Sequence, residues 1–314
     1  MRDFIAAEYA LSENYVHGLA AFAPRLKNFE SPHSSRGSSP GLPAGNSVKT
    51  MQRRQFLLSA ASAAALLAVP AVQAAGTTLK IGVTAGPSAE ILEHVLPIAK
   101  ELGLTIKIYE FQDYIQPNAA LDAGDIDANI YCTKPFLNNE NKTRGYHLAI
   151  AAPAFTLPMA VYSKKIKNLK DLPEGATVGI PNDPAMGARG LILLEQGGLI
   201  KLREGAGLLA SCLDIIENPK KLKVVELEAA QLPHSLDDLT IAAVNGNYAA
   251  VAGLKPGRDG LLVEGPNGPY VCNIVVHEKN LNAPWVKSFI KAYHDPRVKE
   301  WILKKFEGSV VPGF

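Results

Sequence analysis

Apolar and polar residues alternate along residues 78–85, TLKIGVTA, with β-branched side chains, a period of two that predicts a strand. Gly86, Pro87 and Ser88 follow as a turn and helix cap. Ile91, Leu92, Val95 and Ala99 then recur at helical spacing over residues 89–102, with a kink expected at Pro97. Residues 105–111 predict a second strand, 114–123 a short helix and 127–132 a third strand. This βαβαβ opening implies a parallel sheet with right-handed crossovers. Two strand-like runs, 147–155 and 159–163, flank Pro158, and a new unit begins at 169–172. That unit predicts strands at 177–181, 223–227 and 239–244 and a helix over 185–196. Strands at 260–263 and 270–277 and helices over 284–293 and 297–306 close the chain. One set of βα units, a second set and a return to the first is the order of an α/β protein with two lobes and two crossings. Small-molecule clefts favour such junctions and the carboxyl ends of parallel strands.

The first 75 residues read differently. Residues 1–50 lack periodicity and end in SPHSSRGSSPGLPAGNS, so they are expected to be a disordered extension ahead of the true start at Met51. Residues 51–74 have the layout of a cleavable export signal: Arg53 and Arg54, an apolar stretch of 14 residues over 56–69, then Val72-Gln73-Ala74. Fourteen residues are too few to span about 30 Å of hydrocarbon. The paired arginines are similar to a twin-arginine signal. No cysteine follows the cleavage region, so the mature chain is expected to be periplasmic and not lipid-anchored. The expected lobes are 75–160 with 266–314, and 161–265. Beyond residue 74 the chain carries 25 basic and 26 acidic residues, a near-neutral balance with no footprint for nucleic acid.

Catalytic chemistry finds little purchase. There is no G-x-S-x-G elbow, H-E-x-x-H or phosphate-binding loop, and no cofactor or metal is expected. Ser88 is read as a helix cap accepting a backbone N–H, and Asp125 and Asp127 as turn residues. His94, His147, His234, His277 and His294 are scattered and read as solvated or packed side chains. The three cysteines, Cys132, Cys212 and Cys272, default to small buried hydrophobes. Cys132 and Cys272 both fall at cleft-facing strand regions, which leaves one alternative function: an exported thiol, metal-binding or redox-sensing protein using that pair.

The segments LKIGVTAGPSAEILE, FQDYIQPNAALDAGDIDANIY, YSKKIKNLKDLPEGATVGIPNDP and ENPKKLKVVELEAAQLPHSLDD closely resemble the methionine-binding component of the methionine ABC importer, the NlpA lipoprotein family. The resemblance covers nearly all of residues 79–314. It implies a two-lobed periplasmic binding protein of type II-like fold, each lobe a mixed sheet flanked by helices. It also implies a small-molecule ligand and delivery to an inner-membrane permease with its ATPase. Carried over by motif, the ligand residues are Tyr114 in FQDY, and Tyr131, Thr133 and Phe136 in YCTKPF. Met186 and Arg189 in PNDPAMGARG, Asn245 in AAVNGNYA and Cys272 complete the set. Here Thr133 replaces a family His, Phe136 and Leu157 replace Tyr, and Met186 and Cys272 replace Asn, so the expected pocket is less polar than the family's. Arg189 is expected to offer its planar pair of donors to a ligand carboxylate. The expected ligand is a carboxylate-bearing, methionine-like amino acid or derivative.

Overall fold

Burial alternates, then becomes continuous, along β1 (Thr77–Thr84), which puts Ile81 and Val83 in the core and carries the strand into the middle of a sheet. The computed structural model describes residues 76–265 and 268–314, so the expected extension and signal segment lie outside the described residues. With strands numbered along the chain, the first sheet holds β2 (Leu104–Phe111), β3 (Ala128–Thr133), β4 (Leu148–Thr156), β12 (Val271–His277) and β13 (Val311–Pro312) in the order β13-β4-β12-β3-β1-β2. β1 runs parallel to β2 and β3, and β12 runs antiparallel to both β3 and β4. The second sheet holds β5 (Ala160–Tyr162), β6 (Thr177–Pro181), β9 (Lys223–Leu227), β10 (Ile241–Val244) and β11 (Leu262–Val263) in the order β11-β5-β10-β6-β9. β7 (Lys201–Leu202) and β8 (Ile215–Glu217) form a separate two-stranded ladder. Each large sheet therefore mixes parallel strands with antiparallel ones at one side, as a two-lobed α/β fold requires.

The chain crosses between the sheets twice, at residues 157–159 between β4 and β5 and again between the end of β11 at Val263 and the start of β12 at Val271. Ala160, expected with the first lobe, pairs with Val244 and Val263 in the second sheet. Pro158 sets this position, because it supplies no ladder donor and the pairing starts beyond it.

Helices cover both faces of the first sheet. α1 (Pro87–Glu101), α7 (Pro284–Tyr293) and α8 (Pro296–Phe306) bury Ile91, Leu92, Val95, Phe289, Tyr293 and Ile302 in one core. α1 starts with a proline, whose missing N–H is harmless in a first turn, and continues through Pro97 to Glu101. α2 (Gln116–Ala123) and α3 (Lys134–Arg144) cover the other face through Leu121, Phe136 and Leu137. The sequence pattern gives no sign of α3. In KPFLNNENKTR only Phe136 and Leu137 are large and apolar; the helix is fixed by Pro135 in its first turn and a left-handed Gly145 at its end. In the second lobe α4 (Pro184–Gln196) packs Leu191 and Leu194 against Val178 and Ile180 of β6. The short α5 (Gly246–Val251) and α6 (Pro256–Asp259) lie beyond β10. Among the described residues no helix is long and apolar enough to cross a membrane.

α4 approaches β6 closely because two of its positions lack a side chain. A Cβ on Gly187 would sit 2.7 Å from the Pro181 carbonyl oxygen, and one on Gly190 3.2 Å from Ile180. Since the first obstacle is backbone, Gly187→Ala must push the helix outward, and overpacking of this kind costs about 1–3 kcal/mol. Thermal melts are expected to show a clear loss of stability for Gly187→Ala and a smaller one for Gly190→Ala, which meets a side chain.

Candidate functional site

The carboxyl ends of β1, β3 and β10 and the first turns of α1 and α4 converge on one cavity between the lobes. Its wall contains Tyr114, Tyr131, Thr133, Phe136, Leu157, Met186, Arg189, Asn245 and Cys272, so every residue expected at the site lies in a single place. Thr84, Ser88, Cys132, Gly246 and Asn247 complete the lining. Asn247 was legible only as the second asparagine of the Asn-Gly-Asn run that begins at Asn245.

Three aromatic rings form one side. Tyr114, in the loop before α2, has ring centroids 5.9 Å from Tyr131 and 6.0 Å from Phe136. The Tyr131 hydroxyl donates to the Tyr114 carbonyl at 2.8 Å and fixes that loop. Tyr114 also reaches the other lobe, donating to Asn247 Oδ1 at 2.5 Å, while its ring packs 5.0 Å from Tyr248. Tyr248 donates back across the cleft to the Gln112 carbonyl at 3.1 Å. Burial raises the Tyr114 and Tyr131 phenols well above their usual range, so both are neutral hydrogen-bonding groups.

The opposite side is built by α4 and α5. Asp183 caps α4 by accepting from the Met186 N–H at 2.8 Å, which fixes the turn that carries Met186 and Arg189. Arg189 is 3% exposed and does not present a free fork. Its Nε donates to Glu264 Oε1 at 3.0 Å and its Nη2 to Glu264 Oε2 at 2.5 Å, with a further Nη2 bond to the Leu157 carbonyl at 2.9 Å. The guanidinium also lies 4.4 Å over the Tyr270 ring. What remains is Nη1, whose nearest partner is the Met186 sulfur at 3.9 Å. The expectation of a bidentate edge open to a carboxylate is thus corrected: Glu264 holds that edge, and Arg189 offers one nitrogen. Sequence reasoning missed Glu264 because it is 75 residues away and meets Arg189 only through the second crossing.

Among the described residues two lining atoms are buried without a partner, Asn245 Oδ1 and Thr133 Oγ1. A buried polar atom in that condition costs about 1–3 kcal/mol unless something in the cavity satisfies it. The cavity therefore presents a cationic donor at Nη1, an amide acceptor, a hydroxyl and an aromatic wall, which suits a small molecule carrying both an acceptor and a donor.

The serine and the cysteines resolve differently from expectation. Gly86, not Ser88, precedes the first turn of α1, and the Ser88 hydroxyl instead donates to the Ile130 carbonyl at 3.2 Å. Cys212 is partly exposed, 3.4 Å from Glu226. Strand register sets Cys272 opposite Thr133 and Cys132 opposite Asn273. Directly opposed residues share a face and successive ones alternate, so the two thiols stand on opposite faces of the sheet, although both border the cavity at the strand ends. Burial pushes the Cys272 thiol up to about 12 and Cys132 higher still, the reverse of what a thiolate ligand or redox centre needs. The cysteine-based alternative therefore has no support in the geometry, and among the described residues no His, Cys, Asp and Glu group is arranged for a metal.

The sequence profile described as NlpA lipoprotein matches residues 79–314. The chain belongs to the NlpA lipoprotein family. The D-methionine-binding lipoprotein MetQ of Salmonella typhimurium is 47% identical over 239 residues, 75% of this chain and 88% of that protein. A nutrient binding protein from Burkholderia cenocepacia, solved bound to methionine, is 49% identical with a TM-score of 0.74, covering 75% of this chain and all of that one. A periplasmic substrate-binding protein of an ABC transporter from Coxiella burnetii is 42% identical with a TM-score of 0.72, over 75% of this chain and all of that one. These relatives are binding proteins rather than enzymes, and the two-lobed fold is theirs. They also correct one expectation. NlpA-family relatives are named lipoproteins, so the expectation of a protein without a lipid anchor does not stand. It rested on a missing cysteine in one short stretch, outside the described residues.

Asp183 yields a pH test. Burial, chiefly, pushes its carboxyl up to about 6, above the ordinary value of 3.8. The folded state then binds the proton more tightly than the unfolded state does, so this group's contribution to stability falls as pH rises from about 4 to about 6. Asp183→Asn keeps the cap and removes the titration. Denaturant melts across that range are expected to show the variant gaining on the parent with rising pH, the gain levelling off above pH 6.

Proposed function

We propose that this protein is the periplasmic solute-binding component of an ABC importer, taking a methionine-like amino acid by lobe closure and delivering it to the permease with its ATPase. The lobes are residues 75–160 with 266–314, and 161–265, adjusted by the Ala160 pairing described above. The observation that carries the reading is the pocket itself. Arg189 Nη1 is a donor for the ligand carboxylate, and the orphaned Asn245 Oδ1 is an acceptor for its ammonium. Tyr114, Tyr131 and Phe136 form an apolar wall suited to a thioether, which packs favourably on aromatic rings. Thr133, Met186, Leu157 and Cys272 complete the ligand-contacting set. The cross-cleft bonds of Tyr114 and Tyr248 bias the open–closed equilibrium once a ligand bridges both lobes. The relatives' names, D-methionine-binding and periplasmic substrate-binding, support the same solute class and compartment.

Calorimetric titration of the purified protein with L- and D-methionine tests the reading; saturable heat with at least one of them is expected, and none at millimolar ligand would overturn it. Asn245→Ala should weaken binding about 5- to 100-fold, the cost of about 1–3 kcal/mol for an unsatisfied buried donor on the ligand. It should leave the melting temperature nearly unchanged, because the side chain caps nothing. Arg189→Ala should cost about 30-fold or more in affinity and also lower the melting temperature, since Glu264 is left buried and unpaired. For the route of export we propose the twin-arginine signal: Arg53 and Arg54 both changed to Lys should block translocation, read by cell fractionation.

A further inference from the structure

Glu264 does not line the pocket, yet both of its carboxylate oxygens are committed to the group that does. They accept from Arg189 Nε and Nη2, and Oε2 also accepts from the Met159 N–H at 3.1 Å. The pair is nearly dry, with side-chain exposures of 4% for Arg189 and 11% for Glu264. Among the described residues Arg189 is the one charged side chain in the pocket lining, so the pocket together with the carboxylate behind it is electrically neutral. A monoanion docking on Nη1 would turn that into a buried net charge of minus one. Buried net charge is the costly case, whereas a ligand carrying its own positive group restores neutrality.

A neighbouring depression that shares Tyr114 and Phe136 with the pocket reinforces the bias. Asp113 on the first lobe and Asp183 and Glu228 on the second border it, while the Glu140 carboxylate there is matched by Arg144. Tyr270 and Cys272, both of which feel the Glu264 charge, are pushed up to about 12 by burial and are neutral at pH 7.

We propose that Glu264 is a specificity-determining residue that sets the net charge of the ligand, admitting zwitterions and rejecting monoanions of the same shape. The proposal rests on the amino-acid reading of the pocket and goes beyond it, because the carboxylate selects without touching the solute. It also explains why an arginine that anchors an anion is kept neutralised from behind.

The probes are methionine and its 2-hydroxy acid analogue, 2-hydroxy-4-(methylthio)butanoate. The two share the carboxylate and thioether, and the hydroxyl still donates toward Asn245 Oδ1, so they differ in net charge. The parent protein is expected to prefer methionine by at least about tenfold, equivalent to about 1.4 kcal/mol. In Glu264→Gln, which is isosteric and uncharged, that preference should shrink by about tenfold or more. Glu264→Asp keeps the charge and should keep the preference. A folded Glu264→Gln with an unchanged ratio overturns the proposal. If Glu264→Gln does not fold, the parent decides. The parent's own affinities at pH 7 should then differ by at least about tenfold in favour of methionine. Complete rejection of the hydroxy acid by the parent also supports selection, and equal affinity for the two ligands refutes it. Failure of the parent to bind methionine at all is a separate result, which removes the amino-acid reading and this proposal together.

Discussion

One buried ion pair organises the centre of this molecule. An arginine side chain can be removed from water only if its charge is matched and its N–H groups are satisfied, and Glu264 with the Leu157 carbonyl does most of that for Arg189. The partners come from three places in the chain: α4, the first crossing and the second. Met159, at the end of the first crossing, donates to the same carboxylate. The group that faces the solute is therefore the group that ties both connections between the lobes.

Around that pair the fold supplies rigidity on both sides. The first sheet is packed by helices on each face, and the second sheet has its own core on either side of β10. The first crossing is itself packed, with residues 157–159 buried. A Cβ on Gly246 would come within 2.9 Å of the Pro158 carbonyl oxygen, so the start of α5 lies directly against that crossing. Asn245 precedes it and directs its amide into the pocket. Close approach to the crossing and placement of a pocket-lining amide follow from one residue without a side chain.

The polar atoms left without partners point the same way. Asn245 Oδ1 and Thr133 Oγ1 are satisfied by nothing among the described residues, while the neighbouring Tyr131, Tyr114 and Ser88 hydroxyls all have acceptors. Proteins rarely leave buried polar atoms unmatched, and where they do the cost falls at sites that something else completes. Neutral phenols, raised thiols and a neutralised arginine make this a recognition surface, with no group poised to act as nucleophile or base.

The strands and long helices were legible in the sequence because their signals are local. Alternation marked β1, the run over 223–227 marked β9, and helical spacing marked α7 and α8. The motifs likewise named the pocket residues, since each sits at a strand end or a first turn that a short segment defines. α3 escaped because its helicity depends on packing Phe136 and Leu137 under an otherwise polar stretch, which no periodicity reveals. The alternative pairing of Cys132 and Cys272 was left open by the sequence because only register decides on which face of a sheet a side chain stands. The state of Arg189 was beyond sequence altogether. Which charge it meets depends on a contact 75 residues away that exists only when both crossings are in place. Sequence determined which donors and acceptors reach the cavity; tertiary structure decided which of them are already spent, because hydrogen-bond capacity is consumed by whatever the fold brings within about 3 Å.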